Sequence, residues 1–245
     1  MTTQPTPVLS ERSSETRARI LDAALSEFAA HGLAWARTER IAEAAGVNKA
    51  LLYYYFECKE KLYIAALEAI ATRIRDANLA ILHRQASPGE HLLRMALNHF
   101  DRIWSQPEFQ KLMQQEMMRV REGQTGYISV IAETAFKPVV GLYESQVRQG
   151  IASGELIDVD WMQIMYAGFG ANVFYFLSSK VWQLVLDEDL LAFDAICRRR
   201  KLMLEFLGQA IFQDRRHGAE LAARVHADTP VPEVKPGPHF QGGNA

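Results

Sequence analysis

The chain has 245 residues, enough to bury a substantial core as one large or two small domains, and its 49% hydrophobic and 23% charged residues are ordinary for a soluble globular protein. A formal charge of −2 excludes a protein that holds nucleic acid by bulk positive charge. Two cysteines, Cys58 and Cys197, are too few for a disulfide framework and fit a reducing cytoplasm, and neither a membrane-spanning apolar run nor a signal-peptide core is present.

Residues 1–13, rich in Thr, Pro and Ser, read as a disordered arm. A first helix is predicted over 14–31, with Ile20, Leu21, Ala24, Leu25 and Phe28 on one stripe and Gly32 as its stop. Thr38 can cap a second, short helix that turns Ile41, Ala42 and Ala45 inward, and Gly46 ends it because glycine enters the left-handed region at little cost. Asn48 can cap a third helix running to Phe56. A fourth, from Cys58 to about Arg84, is a rod of roughly 40 Å at about 1.5 Å per residue. Pro88 opens a fifth helix and Pro107 a sixth, a loop follows over 123–126, and a seventh helix over 127–150 should kink or break at Pro138. After a turn over 150–160, two long helices are expected over 160–186 and 188–215. The tail from Thr229, rich in Pro and Gly, should be mobile. The fold class is all-α, with a small three-helix head over 14–58, a larger helical bundle over 59–225 and a disordered tail over 226–245.

The third helix carries the strongest signal. At 100° per residue Leu52 and Phe56 share a buried face; Ala50, Leu51 and Tyr54 point the opposite way, flanked by Lys49 and Tyr53 on one side and Tyr55 on the other. A tyrosine and an aliphatic residue facing outward are odd for a solvated helix but suit a DNA groove. Lysine can donate to a guanine edge or a phosphate, small apolar side chains can meet a thymine methyl, and tyrosine hydroxyls can reach phosphate oxygens. The alternative is that the tyrosines pack against neighbouring helices. Short helix, glycine turn and second short helix together form the outline of a helix-turn-helix. Between Glu11 and Lys61 eight basic residues balance eight acidic ones, so DNA affinity must come from placement, with the acidic residues turned away from phosphates.

Residues Thr16 to Leu67 resemble the DNA-binding domain of the TetR family of bacterial transcriptional regulators. The resemblance rests on Ile20-Leu21-Asp22-Ala23-Ala24, Phe28 and Gly32, on Ile41-Ala42-Glu43-Ala44-Ala45-Gly46-Val47, and on Lys49, Leu52-Tyr53, Phe56 and Lys59-Glu60. It places DNA contacts on Thr38, Lys49, Ala50, Tyr54, Tyr55 and Lys59. Arg37, Asn48, Tyr55 and Cys58 depart from the residues usual at their positions, which leaves the operator sequence open. The resemblance also implies that the apolar stripes of the last two long helices, about 160–215, form a four-helix bundle with a second copy, giving a homodimer that reads a palindromic double-stranded operator. It further supports a small, largely apolar effector held among Phe100, Trp104, Met113, Met117, Phe136, Tyr143, Tyr166 and Phe174, acting on DNA affinity through a shift of the fourth helix.

Other signals are weaker. The seven histidines are not spaced as metal ligands, no cofactor fingerprint or nucleophile motif is present, and Cys58 lacks a resolving cysteine nearby in sequence. Arg198-Arg199-Arg200-Lys201 reads as a solvated face or a salt-bridged dimer rim. The reading from the residues is a cytoplasmic, ligand-responsive regulator, most simply a repressor, without enzymatic activity; the alternative is a helical enzyme or small-molecule carrier using the C-terminal part.

Overall fold

The computed structural model describes residues 11–123 and 127–233, and among them the helical periodicities become twelve α-helices and two single-turn π segments, with no strand beyond an isolated bridge between Leu156 and Phe212. The helices are α1 (Glu11–Trp35), α2 (Thr38–Ala44), α3 (Lys49–Phe56), α4 (Lys59–Leu82), α5 (Pro88–Ser105), α6 (Pro107–Arg121), α7 (Ile128–Ile131), α8 (Lys137–Ala152), α9 (Trp161–Met165), α10 (Ala171–Leu186), α11 (Phe193–Ala210) and α12 (Arg215–Asp228). They fall into two compact units. One runs to Arg73 and adds Glu108–Ala135; the other is Ile74–Pro107 with the chain from Phe136 onward. The head expected over 14–58 therefore clusters with the start of α4 and with α6 and α7.

In the first unit α1 begins at Glu11, three residues before the expected start, and Gly32 (φ 68°) breaks it before one further turn to Trp35. The expected arm otherwise lies outside the described residues. Ile20, Phe28, Ile41, Leu52 and Leu62 are fully buried, each contributing about 1.5–3 kcal/mol of transfer free energy. The Phe28 and Tyr63 rings meet edge to face at 4.8 Å, and the Tyr63 hydroxyl donates to Glu116 Oε1 at 2.6 Å, tying α4 to α6 inside this unit.

In the second unit α5 is the central helix, buried along nearly its whole length. Ser87 caps it, accepting from the Glu90 amide at 3.2 Å. The helix expected over 127–150 is interrupted, as Pro138 requires: that residue has no N–H for the Thr134 carbonyl, and the backbone widens into a π turn over Ala132–Phe136. A second π turn, Tyr166–Gly170, separates α9 from α10.

The last expected helix, 188–215, is corrected at both ends. Asp187 turns left-handed (φ 51°), so α11 starts only at Phe193; the chain breaks again after Ala210, where the Ile157 amide donates to the Ile211 carbonyl at 3.0 Å and the Gln213 amide to that of Glu155 at 3.0 Å. Asp214 then caps α12 by accepting from the amides of Arg216 (2.8 Å) and His217 (3.2 Å). Helices α11 and α12 touch through Gly208 and Gly218: a Cβ on Gly218 would lie 1.9 Å from the Gly208 carbonyl oxygen. The helix extends past residue 226, where a disordered tail was expected, to Asp228.

The run Arg198 to Lys201 is not a uniformly solvated face. Arg200, 1% exposed, donates to both oxygens of Asp101 (2.8 and 2.9 Å) and to the carbonyls of Thr229 (2.8 Å) and Pro230 (3.1 Å), so the first residues expected to be mobile are held. Gly168 lies inside this unit, where a Cβ would sit 3.8 Å from that of Ala96 and 3.9 Å from Leu207.

Candidate nucleic-acid interface

Helices α2 and α3 are joined by a turn that the sequence dictates. Gly46 adopts φ 65°; its amide donates to the Glu43 carbonyl at 3.0 Å and the Val47 amide to that of Ala42 at 2.9 Å, the paired bonds of a Schellman stop. Asn48 starts α3 as expected, its side chain accepting from the Leu51 amide at 2.8 Å. Buried Leu52 and Phe56 then fix the rotation of the helix, with the Arg17 guanidinium 5.3 Å from the centre of the Phe56 ring. The opposite face follows from that rotation. Tyr54 is 79% exposed, Lys49 and Ala50 are exposed, and Leu51, Tyr53 and Tyr55 are half-buried.

Several expected contact residues already have intramolecular partners. Thr38 is buried and does not cap α2, whose N-cap is Arg37 without a side-chain bond; its hydroxyl instead shares a 3.1 Å hydrogen bond with that of Tyr53. Thr38 therefore positions Tyr53. The Tyr55 hydroxyl lies 2.9 Å from Ser13 Oγ, joining α3 to the first turn of α1. Lys59 Nζ donates to the carbonyls of Ala34 (3.1 Å) and Ala36 (3.0 Å), at and just past the end of α1, where carbonyls lack helical donors; one N–H bond stays free for a phosphate.

Lys49 carries the main electrostatic feature of this face. Its ammonium donates to Glu39 of α2 and lies 5.8 Å from the centre of the Tyr53 ring. That hydrogen bond holds the Glu39 carboxyl below its ordinary range and raises the Lys49 ammonium above its own. The expectation that acidic residues turn away thus fails at Glu39, a neighbour ten residues off that only the helix-turn-helix angle brings close. Arg37 and Arg40 are also exposed on this segment, and their charge was not assigned a role from the sequence.

The residues expected to hold an effector are divided between the two units. Phe100, Trp104 and Tyr143 are buried in the second unit and Phe136 is half-buried there. Tyr166 and Phe174, each 60% exposed, lie on its surface, Tyr166 at the start of the π segment. Met113 is buried in the first unit, and Met117 is an exposed residue of the same unit.

One face of α10 is apolar and exposed. Phe174, Leu177, Val181, Leu184 and Val185 are exposed at spacings that repeat along the helix, and Leu202 and Phe206 are exposed one turn apart on α11. Among the described residues no group of three or more His, Cys, Asp or Glu could hold a metal ion, and no helix is long and apolar enough to cross a membrane.

Residues 20–66 match the family described as bacterial regulatory proteins, tetR family. Over 116 residues the chain is 33% identical to the HTH-type transcriptional repressor NicS of Pseudomonas putida, covering 47% of this chain and 55% of that protein. Over 53 residues it is 51% identical to the HTH-type transcriptional repressor SCO4008 of Streptomyces coelicolor, covering 22% of this chain and 28% of the other. The chain thus spans about half the length of the first relative and about a quarter of the second. In fold it resembles a gamma-butyrolactone receptor described as ArpA-like, with a TM-score of 0.58 at 21% identity, covering 88% of this chain and 99% of the other.

Proposed function

From a chain whose N-terminal domain is that of the TetR family, we infer a transcriptional regulator that binds a specific duplex sequence through α3, represses from it as a homodimer, and is released or recruited by a small effector. One observation carries the reading: Tyr54 stands 79% exposed beside exposed Ala50 and Lys49, on a helix anchored from behind by Leu52 and Phe56. A side chain of that size has no reason to face water, and a groove supplies one. The repressor names of the relatives and the family match over 20–66 support the same reading.

The dimer is supported by the uncovered apolar stripe of α10 and the exposed Leu202 and Phe206 of α11. A two-fold pair would present two copies of α3 to half-sites one helical turn, about 34 Å, or a multiple of it apart. Effector control is supported by the aromatic interior of the second unit and by α4, which contributes residues to both units and so can carry a displacement from one to the other. An effector acts only to the extent that it prefers one of the two states.

The test is the double variant Lys49→Ala/Tyr54→Ala. It should lose at least tenfold in affinity for a selected operator, with helix content and oligomeric state unchanged; full affinity in that variant removes α3 from the contact surface.

A further inference from the structure

Most buried or half-buried arginines of the second unit are partnered, although Arg199, like Arg102, keeps a buried Nε without a hydrogen-bond partner among the described residues. Arg94 donates to Glu90 at 2.7 Å, Arg200 to Asp101, Arg75 to Asp76 at 3.0 Å, and Arg199 lies 5.4 Å from the centre of the Tyr175 ring. Arg102 on α5 has no carboxylate within ion-pair distance and no hydrogen-bond acceptor among the described residues, and its Nε is sealed from solvent. Arg102 is half-buried, and drawing a cation out of water without an anion beside it costs free energy. A water could satisfy its N–H bonds but not its charge.

Its neighbours are unsatisfied too. Asn98 Nδ2 and His99 Nδ1 are buried without partners among the described residues, and both lie within one turn of Arg102 on the same side of α5. Facing this patch is the π turn Tyr166–Gly170, which sets the Phe169 ring 4.8 Å from that of His99 and 5.2 Å from that of Tyr143. Such bulges recur at functional sites because they re-aim a side chain. Burial, with the Arg102 charge beside it, pushes the His99 imidazole down to about 3, so it stays neutral; burial lowers Arg102 to about 10, so it stays charged. The patch therefore offers one positive charge and neutral polar groups, with aromatic rings against the His99 imidazole.

We propose that Arg102, with Asn98 and His99 beside it and the Phe169 and Tyr143 rings next to His99, receives the carboxylate of a small aromatic acid. A single planar guanidinium matches a monoanionic carboxylate, which it can grip through two parallel bonds, better than a phosphate dianion. The neighbouring rings of Phe169 and Tyr143 match a flat, apolar body. This rests on the effector-binding reading and narrows it: the effector has an apolar body and one negative charge.

The experiment measures the melting temperature of the full-length chain, without DNA, with benzoate, cinnamate and 4-hydroxybenzoate and with the corresponding uncharged amides. At least one acid should raise it by roughly 5–10 °C at about a hundred times its Kd, and no amide should. Arg102→Met should abolish the shift while melting, without ligand, no lower than the unaltered chain, because it removes an unanswered buried charge and keeps the volume. The proposal is overturned if no acid stabilises, if an amide does so equally, if Arg102→Met still responds, or if that variant melts several degrees lower on its own. With no DNA present, any of these leaves the operator-binding reading standing.

Discussion

Replacing Arg200 by methionine tests how the second unit is held together. The side chain is 1% exposed and makes four hydrogen bonds, two to the Asp101 carboxylate and two to the carbonyls of Thr229 and Pro230. Arg200→Met keeps most of the volume but strands Asp101, whose carboxyl burial already pushes above its ordinary range. Leaving one member of a buried pair uncompensated costs about 3–5 kcal/mol. At roughly 2–4 °C per kcal/mol for a chain of this size, the melting temperature should fall by roughly 6–20 °C. The loss has a pH signature. With its folded value raised above the unfolded one, Asp101 penalises the fold once ionised; the cost is absent below the unfolded pKa, grows through the window up to the folded pKa, and is full above it. In the variant that window extends upward, so Arg200→Met should be less harmful at pH 4.5 than at pH 7.5. Urea unfolding followed by circular dichroism, at fixed protein concentration, measures both. A loss under about 1 kcal/mol at pH 7.5, or Asp101→Leu in the same chain failing to recover part of it, refutes the reasoning.

Three further outcomes are expected. Glu39→Gln removes the carboxylate that holds Lys49 and one negative charge from the α3 face, so operator affinity should rise a few-fold at about 0.1 M salt, whereas Lys49→Ala should lower it and reduce the steepness of the salt dependence by about one ion; titrations by fluorescence anisotropy read both. Gly218→Ala drives a Cβ into the Gly208 carbonyl and should destabilise by about 1–3 kcal/mol in the same urea assay, with little effect at a surface glycine such as Gly141. Leu177→Glu, on the exposed stripe of α10, should shift sedimentation from dimer towards monomer and leave helix content unchanged; a wild-type chain that sediments as a monomer at micromolar concentration contradicts the dimer.

Much of the head was legible because short-range chemistry decides it. Gly46 can stop α2 cheaply, Asn48 can cap α3, and the spacing of Leu52 and Phe56 sets which way Tyr54 points. What the sequence did not show there depended on distant neighbours: Thr38 turned inward under Tyr53, Lys59 was drawn to the end of α1, and Glu39 came to rest on Lys49. In the second unit helix existence followed periodicity, but α12 was missed because Arg215–Asp228 is polar along most of its length and is recruited by tertiary partners, the Gly208 contact and the charge network of Glu90, Arg94 and Arg224. The candidate pocket residues were chosen as aromatics and methionines, a composition that cannot tell core from surface. Tyr166 and Phe174 lie on the surface around a π turn that no periodicity announces, and the unanswered Arg102 is visible only once the absence of a neighbouring carboxylate is known.

Selection of bound fragments from random-sequence duplex DNA by the full-length chain tests the central claim most directly. Enrichment of an inverted repeat, with half-sites about one helical turn or a multiple of it apart and lost with Lys49→Ala/Tyr54→Ala, is the predicted result. A pool that stays random after repeated rounds, or one enriched equally by that double variant, contradicts recognition through α3.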